Sequence, residues 1–131
     1  MDGSQGSFKG LGEAIYLAQH FNSTITALCV IPSYPPLPLM GKQMPYEKHI
    51  LEQAKKFMSN AKKTCVNNKV KFNEKIIKGI ATLDIADFAS DNKFDLIIMG
   101  SRGMSSIKEL FLGSVSNAVV HKSKIPVLIV K

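Results

Sequence analysis

The sequence predicts an α/β fold, an open doubly wound parallel sheet with helices as crossovers, and three observations carry that reading. Segments with helical apolar spacing alternate with short strand-like runs along the chain. Two of those runs, "FDLIIMG" and "IPVLIVK", hold short continuous apolar stretches, residues 96–99 and 125–130, as expected of parallel strands covered on both faces. Strands separated by helical segments imply right-handed crossovers within a parallel sheet.

Taken in order, Leu11, Ala14, Ile15, Ala18 and Phe21 fall at helical spacing within Phe8 to Phe21, and Ser4 or Ser7 precedes them as a candidate N-cap. The β-rich run "STITALCVIP" follows and stops at Pro32. Residues 32–45, "PSYPPLPLMGKQMP", hold five of the six prolines and are expected to form an irregular loop of polyproline character, a candidate lid. From Tyr46 to Val66, Ile50, Ala54, Phe57, Met58, Ala61 and Cys65 share one face and lysines the other. This predicts a long amphipathic helix whose apolar face packs on a sheet. "KVKFNEKIIKG" reads as a half-buried strand ending at Gly79, and "ATLDIADFASDN" as a shorter helix. "FDLIIMG" is then a buried strand, Val115 to Lys122 the last crossover helix, and "IPVLIVK" a terminal strand entered through Pro126.

Composition limits what such a chain does. With 131 residues, 45% of them hydrophobic, residues 1–131 suffice for a single domain with its own core, and the chain is too apolar to be disordered. No apolar run reaches the roughly 20 residues of a membrane span, and the N-terminus lacks the order of a secretory signal, so the expectation is a soluble, cytoplasmic protein without a membrane partner. Cys29 and Cys65 have no CxxC or His spacing of a zinc site and read as buried reduced thiols. The net charge of +7 is concentrated between Glu47 and Lys78, which holds nine Lys against three Glu. That segment lacks the interleaved Arg and aromatic residues that grip bases or single strands, which argues against nucleic acid as the partner.

The stretch "MGSRGMSSIKELFLGSVSNAVV", Met99 to Val120, is the candidate for chemistry. Ligands of open parallel sheets bind beyond the carboxyl ends of the strands, where Met99 lies. Gly100 and Gly103 allow the backbone to turn and to approach a ligand, and Gly113-Ser114 opens a helix whose free N–H groups and dipole favour an anion. Ser114 and Ser116 offer hydroxyls to phosphate oxygens. The same glycines equally suit tight turns, and Ser114 equally suits a helix cap. A P-loop is excluded because no GxxxxGKS/T is present, and no GxGxxG opens a first βα turn.

Gly100, Gly103, Gly113 and Ser114 match the G-x2-G-x9-G-S/T motif of the universal stress protein family. The resemblance extends to "MDGSQGSFKGLGEAIYLAQHF", "ITALCVIP" and "IPVLIVK", which are similar to the family's first loop and helix, second strand and terminal strand. It implies an adenine-nucleotide alpha-hydrolase-like sheet of order 3-2-1-4-5 and, with the motif present, binding of ATP or another adenine nucleotide with Mg2+ or Mn2+. Carried over, it implies that Asp2 lies near the nucleotide and its metal, with a simple helix cap as the alternative role, and that Val30 contacts adenine. It further implies that Met99, Gly100, Arg102 and Gly103 line the ribose and phosphate side, and that Gly113, Ser114, Val115 and Ser116 hold the phosphates. Arg102 reads equally well as a solvated surface charge. In the family the terminal strand commonly pairs with its twofold mate, which implies a homodimer through residues 126–130.

One departure stands out. The Asp2-Gly-Ser loop begins at residue 2, so the first strand of the family sheet is absent or truncated, and a gap with unpaired backbone groups is expected in the sheet. An upstream segment is the expected source of that strand, with a partner strand or a rearranged sheet as the alternatives. Three functions follow: an ATP-binding stress-response regulator with little or no catalysis, a slow ATPase or nucleotidyl-transfer enzyme, or a nucleotide-free interaction module. No general base is evident beside the motif, and His20, His49 and His121 show no metal or triad spacing.

Overall fold

Helix α1 (Gln5–Phe21) begins where Ser4, in an extended conformation, accepts a hydrogen bond from the Ser7 N–H at 3.1 Å. Of the two candidate serines the structure therefore selects Ser4, and the helix starts three residues ahead of Phe8 because the cap recruits the polar turn that follows it. It stops at Asn22, left-handed at φ 50°, whose N–H returns to the Ala18 carbonyl. The computed structural model describes residues 1–33, 43–104 and 112–131.

The remaining elements follow in the order β1 (Thr24–Pro32), α2 (Gln43–Asn67), β2 (Lys71–Gly79), α3 (Ala81–Asp91), β3 (Ile97–Gly100), α4 (Ser114–Lys122) and β4 (Val127–Val130). Helix α2 starts before Tyr46 and takes in Pro45, a correction to the loop expected over residues 32–45. Proline is tolerated there because the N–H groups of a first turn have no partner within the helix. The candidate lid otherwise falls on residues outside those described.

Among the described residues all pairing is parallel, as the crossover pattern requires. β1 runs beside β2 for nine residues, from Thr24 opposite Lys71 to Pro32 opposite Gly79. β3 pairs with β4 for four, from Ile97 opposite Val127 to Gly100 opposite Val130. "FDLIIMG" thus contributes a shorter strand than its apolar run suggests, because the ladder opens only where the Ile97 N–H reaches the Pro126 carbonyl. Among the described residues the two ladders remain separate sheets. A cleft of about 530 Å³ lies between β1 and β3, with Leu11, Ala14 and Leu17 of α1 and Ile85, Phe88 and Ala89 of α3 in its walls. At the cleft the Met1 nitrogen donates to the Leu28 carbonyl, a bond of the kind that a strand neighbour makes.

The core sits between α2, α1 and β1. Ala54 and Met58 pack on Ala27, Cys29 and Ile31, while Ala61 and Cys65 meet Leu11, Ile15 and Ala18. The apolar face foreseen for α2 is therefore the buried one, and its lysines are exposed. Both cysteines are free and buried, and burial pushes both thiol pKa values up. Asp84 accepts from the Ile80 N–H at 2.6 Å at the start of α3, and Lys122 ties α4 to α3 through Asp87 and the Leu83 carbonyl.

Candidate functional site

Two glycines decide how closely α1 lies on β3. A Cβ placed on Gly100 would stand 2.6 Å from the Gly6 carbonyl carbon, and one on Gly6 would stand 2.5 Å from the Arg102 oxygen. The helix and the strand therefore meet backbone to backbone, which brings the start of α1 beside the segment that leaves β3. The absent Cβ of Gly100 is used by this packing.

That contact places Asp2 against Gly103: a Cβ on Gly103 would be 2.6 Å from Asp2 Oδ2. The other carboxylate oxygen, Oδ1, accepts from the Ser4 N–H at 3.0 Å. Burial pushes the Asp2 pKa up, but hydrogen bonds from Ser4 and Ser7 and the nearby terminal ammonium outweigh it and hold the group below its ordinary value. The carboxylate is thus charged at neutral pH and available to a cation.

The start of α4 is held to the same end of β3. The Gly113 N–H donates to the Ser101 carbonyl at 2.8 Å, and the Ser116 hydroxyl reaches that carbonyl at 2.8 Å and the Gly113 carbonyl at 3.0 Å. Ser101 is itself anchored, its N–H donating to Val130 of β4 at 2.8 Å. Gly113 has an extended backbone, φ −62° and ψ 160°, and a Cβ on it would meet only ordinary contacts, the nearest the Arg102 Cα at 3.4 Å. Ser114 is exposed and Ser116 buried. The N–H groups of this first turn lack helical partners and carry the positive end of the helix dipole.

The structure therefore brings Asp2, Gly103, Arg102, Gly100 and Gly113 to one end of the β3–β4 ladder, with Ser114, Val115 and Ser116 beside them. Met99 lies in β3 and also lines the cleft. Val30 stands apart, near the carboxyl end of β1 on the other ladder, opposite Ile77. Residues 105–111 of the motif lie outside the described residues. Sequence reasoning missed Gly6 and Ser101. The small-residue pair Gly6 and Gly10, one helical turn apart, was a usable signal for the first. Ser101 acts through its backbone and leaves no signal in its side chain.

One ionised carboxylate suits a metal that arrives on a nucleotide, since Mg2+ is commonly held by one or two carboxylates together with phosphate oxygens. Among the described residues no group of three His, Cys, Asp or Glu is arranged to hold a metal ion by itself. Nor is any helix among them long and apolar enough to cross a membrane.

Comparison with known proteins agrees with this architecture. A family model described as the universal stress protein family matches residues 1–131. Universal stress protein MJ0531 of Methanocaldococcus jannaschii is 30% identical over 132 residues, covering 99% of this chain and 78% of that protein. The structure of universal stress protein UspA from Lactobacillus plantarum is similar with a TM-score of 0.90 at 24% identity, covering 100% of this chain and 93% of that one. The structure of the universal stress protein from Archaeoglobus fulgidus in complex with dAMP is similar with a TM-score of 0.77 at 20% identity, covering 100% and 92%. These two structures speak for the fold, while the family model and the Methanocaldococcus relative span nearly every residue, and on that ground the chain belongs to the universal stress protein family.

Proposed function

We propose that the protein binds ATP, or another adenine nucleotide, at the end of the β3–β4 ladder and acts as a nucleotide-dependent regulator of stress responses with little or no catalysis. The observation that carries this reading is the pinning of the α4 start to Ser101 beside the charged Asp2 carboxylate. An anion-binding turn and a cation-binding group thus both adjoin the segment that leaves β3, at Ser101 and Gly103. The dAMP complex of the Archaeoglobus relative supports an adenine nucleotide as the ligand class.

In this reading the phosphates lie on the N–H groups of Ser114 and Val115, where the helix dipole favours negative charge. Gly113 leaves the room that a phosphate needs. Met99, Gly100, Arg102 and Gly103 border the ribose side, and Val30 contacts adenine. The Mg2+ or Mn2+ that accompanies the nucleotide supplies charge neutralisation when bound, and Asp2 is the residue that holds it from the protein side. The site belongs to a cytoplasmic homodimer paired through residues 126–130, where Leu128 is exposed on a strand that, among the described residues, is paired on one edge only.

Isothermal titration tests the ligand. ATP binds with a one-to-one stoichiometry, more tightly with Mg2+ than without it, and GTP binds more weakly. Absence of saturable heat with any adenine nucleotide overturns the reading, and phosphate release of several turnovers per minute overturns the part that denies catalysis. Size-exclusion chromatography with light scattering gives a dimer at micromolar concentration, and a monomer there removes the proposed pairing.

A further inference from the structure

We infer that Ser116 is a positioning residue for the anion-binding turn, pinning the start of α4 to the end of β3 through the Ser101 carbonyl, and is not itself a ligand to the phosphates. The inference rests on the nucleotide reading above for its ligand, but its geometry is independent of it. Ser116 is the one buried polar side chain among the described residues, at 2% exposure. Its single proton is shared between the Ser101 oxygen at 2.8 Å and the Gly113 oxygen at 3.0 Å. A nucleotide phosphate at neutral pH offers acceptor oxygens, and a hydroxyl whose proton is already engaged has only lone pairs to present to them.

The same carbonyl explains why the bond matters. Ser101 accepts from both the Gly113 N–H and the Ser116 hydroxyl, on either side of the helix start, while its own N–H is fixed to Val130. These bonds join residues 113–116 to the β3–β4 ladder across twelve positions of sequence, whatever the path of residues 105–111. With Gly113 and Ser116 both held, the N–H groups of Ser114 and Val115 between them have a fixed direction. The pinning orients the donors before any ligand arrives, which lowers the ordering cost of binding. Ser114, exposed at the first position of α4, is the hydroxyl left for direct contact.

Two measurements decide the matter. In the ligand-free protein, amide hydrogen exchange at Gly113 is slow, and Ser116→Ala speeds it by about five- to tenfold, the weight of one hydrogen bond. Ser116→Thr, which keeps the hydroxyl, restores slow exchange, and Ser114→Ala leaves it unchanged. Ser116→Cys, close in volume but a weak donor, provides the same comparison if the alanine variant does not fold. In titrations Ser116→Ala weakens ATP and ADP by the same factor, because the whole turn is loosened. Unchanged Gly113 exchange in both loss variants overturns the inference, as does a loss confined to ATP, which marks a direct contact to one phosphate. If the native protein binds neither nucleotide, the functional reading fails, while the exchange measurement still decides the role of Ser116.

Discussion

Gly100 and Gly113 belong to one sequence motif but are glycines for different reasons. Gly100 has Gly6 backbone atoms within 2.8 Å of where its Cβ would be, so Gly100→Ala forces α1 away from β3. Overpacking of this kind costs about 1–3 kcal/mol, and urea denaturation of that variant shows a lowered midpoint. Gly113 has room for a Cβ and an ordinary φ. Gly113→Val therefore keeps the circular dichroism spectrum and lowers the urea midpoint only by the weaker N-cap preference of valine, yet weakens ATP by tenfold or more because the side chain occupies the phosphate space. Unchanged affinity in that variant would return Gly113 to a purely structural role. Asp2 makes a prediction in pH. Its folded pKa is held below the ordinary value of 3.8, so the stabilisation is present in full above that value and is lost as pH falls through the lower folded pKa. Asp2→Asn removes this contribution, and acid denaturation curves of the two proteins converge below the folded pKa.

At the scale of elements, the helix starts carry the functional geometry. Ser4 caps α1 and at the same time sets the Asp2 carboxylate against Gly103, so local capping and site assembly are one event. Ser101 does the same for α4 from outside the helix, which has no side-chain cap of its own. The apolar stripe of α2 was legible because Ala54, Met58, Ala61 and Cys65 recur at helical spacing and only one face of such a helix can leave water. The start of α2 was not legible, because a proline within a first turn looks the same in sequence as a proline in a loop. β3 was shorter than its apolar run, and the expected cover on both faces is not found among the described residues: Ile97, Ile98 and Met99 are half-buried and Leu96 and Leu128 exposed, because an apolar run states neither where a partner strand begins nor what lies over it.

At the scale of the molecule, the described residues keep β1–β2 apart from β3–β4. Helices α1 and α3 line the cleft between the ladders, and its walls are largely apolar, with Leu17, Phe88 and Ile98 among the lining residues. Open apolar surface of this kind binds hydrophobic dyes. Anilinonaphthalene sulfonate accordingly gains fluorescence in the native protein, and Ala14→Phe, which fills the cleft from α1, reduces the gain. A native protein that leaves the dye dark would mean that the cleft is closed in solution.

The alternation of helices and parallel strands, the buried face of α2, the buried cysteines and, through the glycine spacing, the family were all readable from the chain alone. These depend on periodicity, burial and local spacing, all of which are written along the chain. Which glycine serves packing and which leaves space, which serine caps α1, and the direction of the Ser116 hydroxyl to Ser101 emerged with the folded arrangement. Those outcomes depend on distances between segments far apart in sequence, and above all on carbonyl oxygens such as that of Ser101, which every residue carries and no side chain announces.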